Sequence, residues 1–214
     1  MIYLEEILNI LPAHPENLDK FVDFAKEKLV PVCERLGTRL VTAWFSTIEW
    51  FIQVTHIFEF ENMDALKDFR IKTSQDKQWG EYAAKLEDFA PERRSRLLEP
   101  IGAIPPENLH KAIEESQIKA LKVYSMAILE VTPNKMTEFI EGVKLSSKIF
   151  PIIASWRPIA GSPNEVIDIW KGAIGFKNYQ PAVEGMKEWF RRLREIAPKE
   201  RLVQIFPLPY SQLK

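Results

Sequence analysis

The chain has 214 residues, of which 46% are hydrophobic and 28% charged, and its formal net charge is −1. This balance is typical of a soluble globular protein, and the absence of a strong net charge argues against recruitment by nucleic acid or by an acidic membrane surface. The single cysteine, Cys33, excludes an intramolecular disulfide and fits a reducing compartment. We see no N-terminal targeting segment and no apolar run of about 18 residues, so we expect a cytoplasmic protein without a membrane span.

The first half of the sequence predicts a β-α-β-β-α-β order of elements. Apolar, β-rich runs alternate with stretches of helical spacing and are separated by Pro, Asn and Gly residues. Asn17 and Asn62 are the expected N-caps of the helices, and Pro31 is expected to kink or end the first one. The predicted strands are 2–11, 39–46, 51–60 and 95–101, and the predicted helices are 18–36, 63–74 and 76–90.

The second half predicts the same order after a connecting segment. Residues 104–120 begin with two prolines and continue as a polar linker, which we expect to be helical to about Ser116. A turn is predicted at 161–164, between the two middle strands of this half. The predicted strands are 121–131, 152–159, 164–171 and 201–207, and the predicted helices are 134–149 and 178–196.

The two halves are copies of one pattern. Residues 2–12 align with residues 123–133, and further along the chain His56 matches Asp168. A period of about 120 residues is too long for a solenoid unit and indicates two duplicated domains, here residues 1–103 and 121–214. Each copy has the ferredoxin-like βαββαβ order, in which one face of the sheet lacks helices. We therefore expect an α+β fold whose two tandem domains pack sheet against sheet within one chain, as a pseudo-dimeric monomer or a homo-oligomer.

Alternation along the first strand of each copy predicts which side chains line the barrel interior. One face of the first strand is mostly apolar and is expected to lie under the helices, with Glu6 as its exception. The opposite face mixes aromatic, amide and carboxylate groups, which is the composition expected of a ligand site. The predicted ligand residues on it are Tyr3 and Asn9 in the first copy and Tyr124 and Glu130 in the second, with Glu5 as a carboxylate beside them. The alternative is that Glu5 and Glu130 are charges at the surface or the rim.

His56 is the strongest candidate for a catalytic residue. It lies in the middle of a strand among apolar neighbours, so its ring could serve as a base or a ligand. If it and Asp168 both face inward, the carboxylate could orient the imidazole, and Glu5 could take part in acid–base chemistry. The alternative is a buried histidine bonded to a neighbouring group. If both side chains face the helices instead, each needs a local hydrogen-bond partner.

Trp44 and Trp156 occupy matching positions in the two copies. We expect such paired aromatic residues to be core residues, with ligand contact as the alternative. Arginine runs precede both closing strands, but nearby glutamates and the net charge of −1 favour solvated helix ends over a nucleic-acid surface.

Three segments of the first copy and the end of the chain resemble the NIPSNAP family: Met1-Ile2-Tyr3, Gln53-Val54-Thr55-His56-Ile57-Phe58, Asp76-Lys77-Gln78-Trp79-Gly80-Glu81-Tyr82, and Leu202-Val203-Gln204-Ile205-Phe206-Pro207-Leu208-Pro209-Tyr210-Ser211. The resemblance implies the dimeric α+β barrel fold but no particular activity. Some members of the wider superfamily are monooxygenases, haem-degrading enzymes or small-molecule binders. The second copy lacks the Asp-x-x-Trp-x-x-Tyr segment and has Asp168 in place of His56, so a site that the family builds twice is expected once here, or altered.

The sequence contains none of the common nucleotide, serine-hydrolase or zinc-protease motifs. No second histidine lies at ligand spacing from His56, so we expect no metal and no cofactor. The leading hypothesis is a NIPSNAP-like binding protein that holds a small apolar molecule or a protein partner. The alternatives are a cofactor-independent oxygenase- or isomerase-like enzyme that uses His56 with a carboxylate, and a purely structural interaction module.

Overall fold

The computed structural model describes residues 1–48, 51–148, 150–173 and 186–214, so the start of the last predicted helix, 178–185, lies outside the described residues. The strands are β1 (Ile2–Ile10), β2 (Arg39–Ile48), β3 (Phe51–Phe60), β4 (Glu92–Pro100), β5 (Tyr124–Glu130), β6 (Ile152–Pro158), β7 (Glu165–Lys171) and β8 (Lys199–Pro207). The helices are α1 (Pro15–Phe24), α2 (Val30–Leu36), α3 (Met63–Gln75), α4 (Lys77–Phe89), α5 (Pro106–Ile118), α6 (Met136–Ser146) and α7 (Met186–Ile196).

The hydrogen-bonded strand order is β1-β3-β2-β8-β5-β7-β6-β4, and it closes into a barrel. The predicted α+β barrel class is therefore confirmed. None of the helices in the described parts of the chain is long and apolar enough to cross a membrane.

The chain divides into two compact units whose boundaries differ from a simple cut at the linker. The first unit consists of residues 1–97 and 206–214, and the second consists of residues 98–205. The boundaries fall inside β4 and β8, so each of these long strands has residues in both units. The C-terminal residues, which the repeat places in the second domain, group with the first unit.

In the first unit, β3 is the central strand and pairs antiparallel with both β1 and β2. Alternate residues of β1 and β3 point to the same face, and Ile2, Leu8, Val54 and Phe58 pack there with the helices in one buried core. The register places Glu6 of β1 directly opposite His56. The predicted helix-packing face of β1, with Glu6 as its exception, is thus confirmed.

The first helical segment starts earlier than predicted. The helix begins at Pro15, and the side chain of His14 accepts a hydrogen bond from the backbone N–H of Glu16 at 3.3 Å, so His14 is its N-cap. The prediction of Asn17 as the cap is wrong, because Pro15 supplies the fixed φ that suits the first helical position. Asn17 instead donates its side-chain N–H to the carbonyl of Pro12 at 2.9 Å.

Pro31 does not end this segment, because a π-helical turn at Ala25–Leu29 changes the backbone hydrogen-bonding pattern just before it. Proline lacks an N–H and cannot continue the usual α-helical hydrogen bonds. The backbone N–H of Val30 donates to the carbonyl of Ala25, five residues earlier, and α2 then continues to a left-handed Gly37. Such π turns inside α-helices are frequent at functional sites.

Side chains cap the next two helices. Asn62 accepts a hydrogen bond from the backbone N–H of Ala65 at 3.0 Å, which confirms its predicted role. Asp76 accepts from the backbone N–H of Trp79 at 2.8 Å and is held by Arg35 through two bonds of 2.5 and 2.9 Å. The hydrogen bond from Arg35 is the main reason that the pKa of Asp76 falls to about 2.

In the second unit, β7 lies between β5 and β6, β5 pairs with β8, and the end of β4 pairs with β6. Ala127, Leu129 and Val166 of the sheet share a buried core with Phe139 and Val143 of α6. Helices α6 and α7 touch at Gly142, where an added Cβ would lie 1.6 Å from Cη2 of Trp189. Only glycine allows the Trp189 ring to lie this close to α6.

Candidate functional site

His56 lies at the centre of a buried polar cluster on the helix-covered face of the first unit. Its side chain is fully buried, Nδ1 lies 3.3 Å from Oε2 of Glu6, and Nε2 lies 2.8 Å from the Tyr210 hydroxyl. The tautomer with its proton on Nδ1 satisfies both contacts, because Nδ1 then donates to the Glu6 carboxylate and Nε2 accepts from the Tyr210 hydroxyl. The Phe21 ring stacks on the imidazole at a centroid distance of 6.1 Å. Both ring nitrogens are therefore engaged, and aromatic packing encloses the ring.

Two further ionisable side chains lie in the same core. Burial, followed by the nearby charge of Glu6, raises the pKa of the Cys33 thiol to about 12. The same two causes raise the pKa of the Tyr82 hydroxyl well above its usual range, and this hydroxyl has no hydrogen-bond partner among the described residues. Cys33 is therefore held as a neutral, inert thiol, as expected of a buried cysteine.

Glu5 lies on the opposite face of β1 from Glu6 and His56. It is only 2% exposed, and the Nε–H of Arg96 donates to its carboxylate. Neighbouring residues on a strand point to opposite faces, so the structure does not bring Glu5 and His56 together. Glu5 is a buried, paired carboxylate rather than a surface charge.

Asp168 lies on the helix-covered face of the second unit. The hydroxyl of Ser155, its cross-strand neighbour on β6, donates to Oδ1 of the carboxyl group. Burial, opposed by this hydrogen bond and reinforced by the charge of Glu200, raises the pKa of Asp168 to about 7. His56 and Asp168 therefore each have the local partner that a position facing the helices requires.

The predicted ligand residues divide into buried and exposed positions. Tyr3, Trp44, Tyr124 and Trp156 are each at most 2% exposed. Burial raises the pKa of Tyr124 to about 12. Asn9 accepts a hydrogen bond from the side chain of Gln53 at 3.0 Å. Glu130 alone is exposed, and it forms an ion pair with Lys199 at 2.8 Å.

Glu130 lines an open cleft of about 500 Å³ in the second unit. The end of β5, the turn before β7 and the start of β8 form its walls. The lining residues are Ile128, Leu129, Glu130, Ser162, Pro163, Asn164, Glu165, Lys199, Glu200 and Arg201. Its volume lies in the range of small-molecule sites, which is about 300–1,000 Å³.

Sequence reasoning missed Tyr210 and Arg201. Tyr210 lies in the C-terminal tail outside any repeated element, so no periodicity marks it as the partner of His56. Arg201 was assigned only to the closing strand, although its pairing with Ile128 in the β5–β8 register places it beside the cleft. In the described ranges, no group of three or more His, Cys, Asp or Glu side chains is arranged to hold a metal ion.

Several solved structures of other proteins are similar in fold to this chain. A candidate monooxygenase from Lactobacillus acidophilus NCFM is 14% identical with a TM-score of 0.62, covering 99% of this chain and 96% of that one. A candidate monooxygenase from Fusobacterium nucleatum subsp. nucleatum ATCC 25586 is 9% identical with a TM-score of 0.61, covering 97% and 92%. An anthrone oxidase-like protein is 10% identical with a TM-score of 0.51, covering 96% and 90%. At these identities the likeness concerns the fold alone.

No match is found among the curated proteins. The family model described as NIPSNAP matches residues 8–105, which contain the strand of His56 and the Asp76-x-x-Trp79-x-x-Tyr82 segment. The structure explains that segment, because Asp76 caps α4 while Trp79 and Tyr82 contact each other at a centroid distance of 5.6 Å. Residues 8–105 of this α+β barrel chain therefore match the NIPSNAP family.

Proposed function

We propose that this NIPSNAP-like barrel protein binds a small, mostly apolar molecule with an anionic end in the cleft beside Glu130. The cleft volume of about 500 Å³ is the observation that carries the proposal. A site of this size accommodates a metabolite or a lipid-like acid rather than an ion.

The lining chemistry supports an amphipathic ligand. Ile128 and Pro163 offer apolar surface, on which the body of the ligand would lie. Lys199 and Arg201 are the two basic residues of the cleft, and Lys199 forms an ion pair with Glu130. Arg201 has no carboxylate partner among the described residues, and its planar guanidinium suits a carboxylate or phosphate group.

The geometry gives no support to an enzyme that uses His56 as a general base. A base must reach the proton that it removes, whereas the His56 side chain is fully buried and both ring nitrogens are hydrogen-bonded. Glu5 faces away from it. The monooxygenase designation of similar folds is an analogy at the level of the fold and supplies no site in this chain. The oxygenase- or isomerase-like alternative therefore ranks below binding.

Isothermal titration calorimetry with decanoate tests this proposal, because decanoate combines an apolar chain with one carboxylate. We expect saturable binding that Arg201→Gln weakens about tenfold, which corresponds to the loss of about 1.4 kcal/mol. Ile128→Glu should abolish binding by placing a carboxylate in the apolar wall.

Arg194→Gln and Leu145→Glu are the matched controls, since Arg194 is exposed on α7 and Leu145 is 53% exposed on α6. Both should bind like the wild type. The proposal is contradicted if decanoate does not bind, or if the controls and the cleft variants lose the same affinity. A protein partner would become the better hypothesis in the first case.

A further inference from the structure

A second pocket lies on the helix-covered face of the second unit, around Asp168. It has a volume of about 40 Å³ and is almost entirely apolar in its lining. Helices α6 and α7 cover it, and β5, β6 and β7 form its floor. Its lining includes Phe150, Asp168, Trp170, Trp189, Phe190 and Glu200.

The charged groups of this pocket are all acidic. Asp168 lies inside it and is 3% exposed, while Glu200 lies at its exposed rim. No lysine, arginine or histidine is among its described lining residues. Ser155 donates one hydrogen bond to Oδ1 of Asp168. The described lining residues give this buried carboxylate no cationic partner. A buried carboxylate is normally paired with a cation or protonated.

Aromatic rings form much of the wall. Phe150 lies 5.4 Å from Trp170 and 5.5 Å from Phe190 between ring centroids. Trp189 of α7 also lines the pocket, and its ring packs against Gly142. The faces of such rings carry negative partial charge and attract organic cations within about 6 Å, as in the aromatic sites that recognise methylated ammonium groups.

In the first unit, the position that corresponds to Asp168 carries a nitrogen base. There the matching residue is His56, whose imidazole fills the space between the Glu6 carboxylate and the aromatic rings of Phe21 and Tyr210. The first unit thus carries a nitrogen base of its own beside a carboxylate and aromatic rings. In the second unit the described lining residues supply a carboxylate and aromatic rings but no such base, and a cavity remains.

We propose that the pocket around Asp168 binds a small organic cation, a methylated ammonium group, between the carboxylate and the aromatic rings of Phe150, Trp170 and Trp189. The cation would donate its N–H to Asp168 and place its methyl group against the rings. A cavity of about 40 Å³ exceeds the roughly 10–15 Å³ that one water molecule needs, so it admits a small group. This pocket has no basic residue among its described lining residues, whereas the cleft beside Glu130 is lined by Lys199 and Arg201 together with glutamates.

Binding of a cation requires the ionised form of Asp168, so it should depend on pH. Burial raises the pKa of this carboxyl group to about 7. Of the described residues that line the pocket from β5, β6, β7, β8, α6 and α7, Glu200 is the only other titratable one. Affinity for the cation should therefore rise as the pH increases through 7.

Nuclear magnetic resonance titration with methylammonium chloride tests the proposal, using the indole N–H signals of Trp170 and Trp189 as probes. We expect saturable shifts of both signals at pH 8, with a dissociation constant in the millimolar range. Asp168→Asn should weaken binding at least about tenfold, and Gly142→Ala should also weaken it because the added methyl group displaces Trp189. Glu141→Gln, on the exposed side of α6, is the matched control and should bind like the wild type.

Two comparisons use the wild-type protein and remain decisive if a variant fails to fold. Methanol, the neutral counterpart of methylammonium, should not shift the two indole signals, and sodium chloride at equal ionic strength should not either. Binding at pH 5.5 should be at least about tenfold weaker than at pH 8. Equal shifts with methanol, unchanged affinity across this pH range, or no indole shift at all would overturn the proposal.

Discussion

The Tyr210 hydroxyl lies 2.8 Å from Nε2 of His56 and thereby joins the C-terminal tail to the centre of β3. Two neighbouring contacts hold the same tail, since the backbone N–H of Ala43 donates to the Ser211 hydroxyl and that of Leu208 donates to the carbonyl of Ala43, both at 2.9 Å. His56, the best catalytic candidate from the sequence, thus links the C-terminal tail to β3 within the first unit.

Removal of the Tyr210 hydroxyl should destabilise the protein. In Tyr210→Phe, Nε2 of the buried His56 ring loses its donor, which costs about 1–3 kcal/mol of unfolding free energy. Urea denaturation followed by circular dichroism measures the change.

Tyr82→Phe is the matched control, because the Tyr82 hydroxyl is buried without a hydrogen-bond partner among the described residues. Its removal should leave stability unchanged or slightly increased. If both variants lost the same stability, the bond between Tyr210 and His56 would have no measurable role.

Arg96 should be needed to keep Glu5 buried. Arg96→Met leaves a carboxylate that is 2% exposed without its cationic partner, and breaking such a pair costs roughly 3–5 kcal/mol. The same substitution at Arg94, which is exposed, should change stability by less than about 0.5 kcal/mol. Denaturant midpoints for the two variants provide the comparison, and equal midpoints would refute the prediction.

The two matching tryptophans should behave as core residues. Trp44 and Trp156 are each 2% exposed, so Trp44→Ala and Trp156→Ala should each cost about 3–5 kcal/mol of stability. Ile118→Ala, at a position 91% exposed, is the control and should change stability by less than about 0.5 kcal/mol. Losses below about 1 kcal/mol at both tryptophans would show that the rings are not packed as the structure indicates.

Asp168 should make the protein less stable as the pH rises. Its pKa is about 7 in the folded chain and about 3.9 in an unfolded chain, so the folded state binds the proton more tightly. Stability should then fall from about pH 4 to about pH 7, by up to about 1.4 kcal/mol per pH unit, and level off above that. Asp168→Asn should lack this contribution. Denaturation of both proteins at pH 4.5, 6 and 7.5 tests it, and parallel curves would contradict it.

Element order and the faces of β1 followed from local patterns in the sequence. Alternation identified Glu6 as the single polar residue on the helix-covered face, and the repeat paired His56 with Asp168. That Glu6 and His56 meet depends on the register between β1 and β3, which local patterns do not contain. The same is true of Ser155 and Asp168, whose contact requires the pairing of β6 with β7.

Three further features of the structure, a π turn, the cleft and an aromatic wall, cannot be predicted from local sequence patterns. Pro31 predicted a kink or a helix end, but the compensation by a π turn depends on the packing of α1 and α2 against the sheet. The cleft beside Glu130 arises where β5, β8 and a turn come together, so its residues are dispersed along the chain. The aromatic wall around Asp168 likewise combines residues from β7, α7 and the segment before β6.

The most direct test of the central claim is a measurement of intermolecular nuclear Overhauser effects between bound decanoate and the methyl groups of the protein. A small molecule in the cleft beside Glu130 should show contacts from its chain to the δ1 methyl group of Ile128, and none to the exposed Leu145 of α6. Contacts confined to methyl groups outside the cleft, or the absence of a saturable complex, would contradict the assignment of this cleft as the binding site.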